Sequence, residues 1–574
     1  MKAMCIPFAL AMCVLVACPG PEVTPDAPGS DAGLPTPDAP GSDTGLTTPD
    51  APGTDVGLTN ECLVANGGCS SDATCSDLPV GRTCTCNAGF VGDGVTCMPG
   101  SLGFSELEAY IKASNTDAED DCWVVALSAD GSTLAVGASG EDGSGTGVNP
   151  ASNERAGLSG AVYVYTRAGE VWSFQAYIKA SETTGADFFG RALALSGDGN
   201  TLAVGAPGED GSGTGVNPGV NNDSFASGAV FVYGRTGSTW SFDAYIKASN
   251  TGATDSFGDS VALSTDGNTL AVGALGEDGS GTGVNPASNE DAANSGAVYV
   301  YTRGASAWSF QAYVKGSNTS PEENYGGSVA LSADGNTLAV GAAFEDGSGV
   351  GVNPASDEGA GASGAVYVYS RVANAWSVQA YIKASNTGVG DQFGWDVALS
   401  ADGNTLAVGA RLEDGAGTGV NPTSDEGAMQ SGAAYVYTRT ASTWSFQAYL
   451  KANAGGAGDQ FGFSVALSQD GNTLAAGAPF EDGSRTGVNP ASDEGAMESG
   501  AVCVFRRASG TWSFGTLVKA SNTGADDRFG RSVGLNADGT RLAVGAEQED
   551  GSGTGVNPAS DEAAMNSGAV YVYR

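Results

Sequence analysis

Acidic residues recur in pairs along most of the chain, and their spacing is the first sign of chemistry. A Glu-Asp pair occurs seven times, each 68 residues after the previous one. The pairs are Glu141-Asp142, Glu209-Asp210, Glu277-Asp278, Glu345-Asp346, Glu413-Asp414, Glu481-Asp482 and Glu549-Asp550. Most are followed by Gly-Ser-Gly-x-Gly-Val-Asn-Pro and a further acid, and such carboxylate and amide oxygens are ligands that Ca²⁺ prefers. These loops are candidate calcium sites, and the alternative is that duplication copied an ordinary solvated loop.

Composition restricts the other chemistries. The 574 residues include 24 Lys+Arg, 65 Asp+Glu and no His, for a formal net charge of -41. Nucleic acid is therefore not an expected partner. The absence of histidine excludes Ser-His-Asp triads and imidazole zinc ligands. Paired carboxylates could act on a polysaccharide, but similar acidic loops provide no singular acid pair, so we predict that the protein is not an enzyme.

The repeated unit that carries each Glu-Asp pair has the pattern of four β-strands. In the second copy the apolar runs are 190–195, 201–206, 228–233 and 240–247, with alternating and β-branched or aromatic residues. A hairpin signal, Asp198-Gly199, joins the first two runs. Seven antiparallel units without helical periodicity predict an all-β, seven-bladed β-propeller over residues 101–574.

The two ends of this region predict how the propeller closes. The chain ends at Arg574, directly after the third strand of the last unit. Residues 104–112 match the fourth-strand pattern and precede the first complete unit. We therefore expect this N-terminal strand to complete the last blade, whereas an open stack of units would leave it without that role.

Short motifs in the repeats resemble the FG-GAP repeats of integrin alpha subunits. They are Phe189-Gly190, Phe257-Gly258, Phe393-Gly394, Phe461-Gly462 and Phe529-Gly530, with Gly205-Ala206-Pro207 and Gly477-Ala478-Pro479. Tyr325-Gly326 varies the first motif and Asp121-Cys122 breaks it. The resemblance implies a binding propeller. The calcium-binding loop of that family is missing, because the turn between the first and second strands, residues 332–336 in the fourth copy, is too short to contain it.

Three further sets of residues recur with the repeat. A second acid precedes each first strand and is expected to cap a turn: Glu119, Asp187, Asp255, Glu323, Asp391, Asp459 and Asp527. Tryptophans that begin the fourth strands are expected to pack between blades: Trp172, Trp240, Trp308, Trp376, Trp444 and Trp512. The position after Phe-Gly varies and is a candidate binding surface near the channel: Trp123, Arg191, Asp259, Gly327, Trp395, Phe463 and Arg531. Cys122 and Cys503 are expected to be buried thiols.

The N-terminus has the features of an exported, anchored protein. Residues 1–17 read as a signal peptide, and Leu15-Val16-Ala17-Cys18 resembles a bacterial lipobox, which implies acylation of Cys18. The alternative is an ordinary signal peptide with an incidental cysteine. Residues 18–59 contain a Pro/Asp/Gly-rich repeat typical of an extended stalk. We predict a protein held by lipid on the bacterial cell envelope, at the outer membrane or cell surface.

Six cysteines between the stalk and the repeats predict a small disulfide-rich module. They are Cys62, Cys69, Cys75, Cys84, Cys86 and Cys97, and residues 60–98 resemble an epidermal-growth-factor-like domain. The resemblance implies disulfides 62–75, 69–84 and 86–97. It also makes Asn60, Glu61 and Asp77 a candidate calcium site, although Leu58 and Arg82 depart from the calcium-binding pattern. The alternative is a module held by disulfides alone.

Together these features predict a monomeric cell-surface binding or adhesion protein. Its expected partners are the membrane, through the lipid, and a surface protein or glycan. No cofactor is required, and calcium is the one candidate. A polysaccharide-acting enzyme and a purely structural envelope protein are the alternatives.

Overall fold

The computed structural model describes residues 104–574, except 306 and 454, together with four strands between residues 73 and 99. All the regular elements in this part of the chain are β-strands. No helix among the described residues is long and apolar enough to cross a membrane.

The four strands before the propeller form two small hairpins. The strands are β1 (Ala73–Asp77), β2 (Arg82–Cys86), β3 (Phe90–Gly92) and β4 (Cys97–Pro99). Strand β1 pairs antiparallel with β2, so that Cys75 lies opposite Cys84 in the backbone register, and Asp77 lies opposite Arg82. Cys18, Asn60, Glu61, Cys62 and Cys69 lie outside the described residues. The disulfides and the lipid therefore stay predictions.

The remaining strands form the seven predicted antiparallel blades. In chain order the blades contain β6 (Cys122–Leu127), β7 (Thr133–Ala138), β8 (Ala161–Ala168) and β9 (Val171–Ile178); β10 (Ala192–Leu195), β11 (Thr201–Ala206), β12 (Ala229–Thr236) and β13 (Thr239–Ile246); β14 (Phe257–Leu263), β15 (Thr269–Ala274), β16 (Ala297–Arg303) and β17 (Trp308–Val314); β18 (Ser328–Leu331), β19 (Thr337–Ala342), β20 (Ala365–Val372) and β21 (Ala375–Ile382); β22 (Phe393–Leu399), β23 (Thr405–Ala410), β25 (Ala433–Thr440) and β26 (Thr443–Lys451), with the short β24 (Gly419–Val420); β27 (Val465–Leu467), β28 (Thr473–Ala478), β30 (Ala501–Ala508) and β31 (Thr511–Lys519), with β29 (Gly487–Val488); and β32 (Phe529–Leu535), β33 (Leu542–Ala546) and β35 (Ala569–Tyr573), with β34 (Gly555–Val556). The second strand is buried along its whole length in every blade. That burial explains its uniformly small and apolar sequence, Thr-Leu-Ala-Val-Gly-Ala in most copies.

The N-terminal strand closes the ring as expected. Strand β5 (Leu107–Lys112) pairs antiparallel with β35, with Ile111 opposite Val570 and Tyr110 opposite Tyr571. The backbone amide of Ser105 also donates to the carbonyl of Arg574 at 2.8 Å. The last blade therefore obtains its fourth strand from residues that precede the first blade.

The long loop between the second and third strands covers the outer edge of its blade. In blades five to seven it forms β24, β29 and β34, which pair with the fourth strand, and in the first four blades a single valine makes the same contact. The amide side chain of Asn353, in the Val-Asn-Pro motif, accepts from the backbone amide of Tyr381 at 3.0 Å. This contact blocks an edge that could otherwise pair with another chain.

Seven clusters of buried side chains fill the contacts between neighbouring blades. The tryptophans take part as expected: the indole of Trp240 donates to Gln175 of the preceding blade at 2.9 Å, and the Arg235 guanidinium lies 5.3 Å from its ring centroid. Cys122 and Cys503 are buried free thiols, which confirms that prediction.

Close backbone contact between blades explains the glycine of the Phe-Gly motif. A Cβ atom on Gly137 would lie 2.1 Å from the carbonyl oxygen of Gly190, and Gly190 itself has φ +95°. Only glycine accepts both conditions without strain. The glycine of the motif therefore allows the backbones of neighbouring blades to pack in direct contact.

Candidate ligand-binding site at the channel mouth

The glutamate of every Glu-Asp pair lies in a buried ion pair. Glu345 accepts from the Lys383 ammonium at 2.6 Å, and both side chains are at most 1% exposed. The Tyr381 hydroxyl and the Gly347 amide also donate to this carboxylate. The same lysine contact occurs in all seven blades, as Lys179–Glu141, Lys247–Glu209, Lys315–Glu277, Lys383–Glu345, Lys451–Glu413, Lys519–Glu481 and Lys112–Glu549. These glutamates therefore connect the long loop to the end of the fourth strand.

The aspartates of the pairs hold the same loop closed. Asp346 accepts from the backbone amide of Ala362 at 2.7 Å, and the equivalent contact occurs in the other six blades. The later acid Asp357 accepts from the amide of Ser348 at 2.7 Å. No group of three or more Cys, Asp or Glu side chains that could hold a metal ion occurs among the described residues. Calcium binding by these loops stays a prediction.

The second ring of acids caps turns. Asp255 accepts from the amide of Gly252 at 2.7 Å, and its burial raises the pKa of this carboxyl to about 7. The prediction that Glu119 caps this turn in blade one is wrong, because Asp120 accepts the hydrogen bond from the amide of Asp117 instead. Burial raises the pKa of Asp120 to about 8.

Asp120 takes the capping position in place of Glu119 because blade one has one residue fewer than the other blades at the start of its first strand. The Trp123 carbonyl lies against Gly545, as the Gly190 carbonyl lies against Gly137. Trp123 thus takes the backbone place of the motif glycine, and not the following position that the 68-residue spacing predicts. Its side chain nevertheless lines the central cavity.

The first strands surround a central cavity of about 570 Å³, which has lining residues from all seven blades. We call the end at which these strands begin the channel mouth. Because neighbouring strands are antiparallel, the second strands end at the same place and the third strands begin there. The long acidic loops therefore belong to the same face of the propeller.

Aromatic rings and arginines concentrate on one side of the channel mouth. The ring centroids of Trp395 and Phe463 lie 5.6 Å apart, and Phe480 lies 6.3 Å beyond Phe463. The Arg411 guanidinium is 3.4 Å from the Trp395 centroid, and that of Arg531 is 4.2 Å from the Phe463 centroid. Cation–π contacts of this kind stabilise charge at a partly buried site.

Three exposed methionines lie in the long loops on the same face of the propeller. Met429, Met497 and Met565 are 69%, 61% and 59% exposed and stand at equivalent positions of blades five, six and seven. The corresponding residues of the other blades are Gly157, Phe225, Ala293 and Gly361, and Phe225 of blade two is 72% exposed as well. We define the blade 5–7 face as Trp395, Phe463, Phe480, Met429, Met497 and Met565.

Sequence reasoning identified only the inner part of this surface. It found the variable position of Trp395, Phe463 and Arg531 but missed Arg411 and the methionines. A signal was present, because the residue after the second strand also varies between copies: Ser139, Pro207, Leu275, Ala343, Arg411, Pro479 and Glu547.

The near-identical blades and the variable channel mouth define a repeat β-propeller. The FG-GAP repeat family matches residues 172–233, 240–301, 376–437 and 444–505, and an EGF domain family matches residues 62–97. The chain therefore contains four FG-GAP repeats and an EGF domain.

Two solved structures resemble the chain with low identity and a TM-score below 0.5. Hydrazine synthase of Kuenenia stuttgartiensis is 15% identical with a TM-score of 0.40, over 75% of this chain and 93% of that chain. The Cps50 (Swd1) β-propeller domain of Myceliophteria thermophila is 10% identical with a TM-score of 0.40, over 80% of this chain and 98% of that chain. No curated protein sequence matches the chain.

Proposed function

We propose that this protein is a cell-surface binding or adhesion protein whose ligand is another protein, bound on the blade 5–7 face. The observation that carries the proposal is the placement of the apolar side chains. Met429, Met497 and Met565 are exposed on consecutive blades, on the face of the propeller where the Trp395, Phe463 and Phe480 rings pack together. Exposed methionines are frequent at protein-binding surfaces.

The exposed side chains favour a protein over a glycan as the ligand. Methionine is unbranched and adapts its shape to a partner, which suits an apolar protein surface. Glycans stack on free aromatic faces, and the Arg411 guanidinium already covers one face of Trp395. A glycan ligand remains a distinct outcome of the binding experiment below.

Binding is favoured over catalysis because two carboxylates of the channel mouth are already engaged by other groups of the protein. Asp396 accepts hydrogen bonds from the hydroxyl of Ser328 and from the amide of Val465. Glu547 lies 3.1 Å from the Arg531 guanidinium.

Substitution of two exposed methionines should weaken binding of the protein ligand. A screen of surface proteins and glycans with the intact chain supplies the ligand, and its affinity is then measured for Met429→Ser/Met497→Ser. We expect a loss of roughly tenfold or more, because burying each methionine contributes ~1.5–3 kcal/mol. Val171→Ser/Val372→Ser is the matched control, since these valines are 69% and 74% exposed at strand 3–4 hairpins, away from the channel mouth.

Two results would contradict this proposal. One is a protein ligand whose affinity falls in the valine control and not in the methionine variant. The other is a screen in which only glycans bind. Running each measurement with CaCl₂ and with EDTA at equal ionic strength tests the calcium hypothesis, and equal affinities would rule out calcium dependence of this binding.

We also propose that a lipid on Cys18 holds the protein on the bacterial envelope. The support is the lipobox-like sequence 15–18 after an apolar segment. Cys18→Ser should move the protein from the membrane to the soluble fraction, because the acyl chains supply the membrane affinity. Soluble fractionation of the wild type, or a mature mass without lipid, would disprove the anchor.

A further inference from the structure

Arg411 is the one cation that follows a second strand, and it is held in a fixed orientation at the channel mouth. Its guanidinium stacks 3.4 Å from the Trp395 centroid and lies 5.5 Å from that of Phe463. Its Nε atom donates to Gln392 at 2.7 Å. Stacking fixes the plane of the guanidinium, so its remaining N–H groups are presented along the edge of that plane.

The charge of Arg411 is not neutralised within the described part of the chain. Arg531 has Glu547 at 3.1 Å, and Arg191 has Asp259 at 3.9 Å, but no carboxylate of residues 104–574, as far as they are described, lies within ion-pair distance of Arg411. Partial burial, together with the positive charge of Arg531, lowers the pKa of Arg411 to about 10. An unpaired cation is unexpected in a chain with a net charge of -41.

The surrounding charge restricts the anion that could bind there. The loops around the channel mouth carry Asp357, Asp425, Asp493 and Asp561 together with neighbouring glutamates. A polyanion that crossed this face would approach these carboxylates and be repelled. A narrow group with one negative charge would be repelled less and could reach the centre.

We propose that Arg411 is an anion-binding residue that pairs with a single carboxylate of the protein ligand, from an acidic side chain inserted into the channel mouth. The planar guanidinium matches a carboxylate through two parallel hydrogen bonds. The inference deepens the proposed function: the blade 5–7 face supplies apolar contact, and Arg411 selects a ligand with an acidic side chain at its centre.

The first test uses the intact protein and two isosteric probes. N-acetyl-glutamic acid α-amide carries one side-chain carboxylate, and N-acetyl-glutamine α-amide carries none. Titration followed by saturation-transfer NMR should show roughly tenfold or more tighter binding of the acid by the wild type. Equal binding of the two probes, or no binding of the acid, would overturn the proposal without any substitution. Tighter binding of polygalacturonate would also overturn it.

The second test assigns the site to Arg411. Arg411→Gln should bind the acid no better than the wild type binds the glutamine probe, whereas Arg485→Gln, at an exposed arginine, should keep wild-type affinity. Met429→Ser/Met497→Ser should leave binding of the small acid unchanged. Loss of partner binding in the methionine variant with equal affinity for the two probes would refute the carboxylate site alone. Unchanged partner binding in the methionine variant, with tighter binding of the acid than of the glutamine probe, would refute the protein-binding face alone.

Discussion

A propeller that begins at residue 113 should be far less stable than one that begins at residue 99. The shorter protein loses β5, in which Ala109 and Ile111 are completely buried and Tyr110 is 6% exposed. Burying a large apolar side chain contributes ~1.5–3 kcal/mol. Removal of Lys112 also leaves Glu549 buried without its cation, which costs ~3–5 kcal/mol. Thermal unfolding of the two truncated proteins measures the difference.

A substitution within the full chain provides a second measurement if the shorter protein does not fold. Ile111→Ala should lower stability by ~2–5 kcal/mol, because it leaves a cavity between the first and last blades. Removal of residues 19–98 should leave the unfolding midpoint of the propeller unchanged. Equal midpoints for the proteins that begin at residues 99 and 113 would contradict the closed ring.

Lys383→Met should destabilise the propeller by ~3–5 kcal/mol, the usual cost of removing one partner from a buried ion pair. The lysine is 0% exposed and lies 2.6 Å from Glu345, so the substitution leaves a buried carboxylate without a cation. The midpoint of guanidinium unfolding measures the loss. Arg485→Met is the control, because its ion pair with Asp493 is 64% exposed on the arginine side and should contribute ~1 kcal/mol or less.

The double variant Lys383→Met/Glu345→Gln separates charge from packing. A neutral amide at position 345 no longer needs a cation, so this protein should recover part of the lost stability. If Lys383→Met lowers stability as little as the control Arg485→Met, the buried ion pair does not hold the long loop to the fourth strand.

The acidic loops show how far local sequence could be interpreted. Oxygen-rich, flexible segments are typical of calcium sites and of solvated loops, so Glu345 and Asp346 alone did not distinguish these roles. Their partners, Lys383 and the amide of Ala362, are 38 and 16 residues away along the chain. Only folding brings these groups together. The Val-Asn-Pro segment likewise has no periodicity that predicts its pairing with the fourth strand.

Blade one illustrates a different limit. A fixed 68-residue spacing aligned Glu119 with Asp187 and Trp123 with Arg191. A single deletion shifts the chain by one residue at this point, and the backbone contact with Gly545 shows where the shift occurs. A constant repeat length identifies equivalent residues of different blades only where no blade has lost a residue.

The sequence by itself determined the number of blades, the four-strand unit and the closure by residues 104–112, because strand periodicity and repeat spacing are local properties written seven times. It also located the variable position after Phe-Gly. The tertiary structure alone decided which side chains meet at the channel mouth. Trp395 lies in β22, Arg411 directly follows β23 and Phe463 precedes β27 of the next blade, so their contact depends on how neighbouring blades pack. The unpaired charge of Arg411 is likewise a property of that packing, since it depends on which carboxylates folding leaves out of reach.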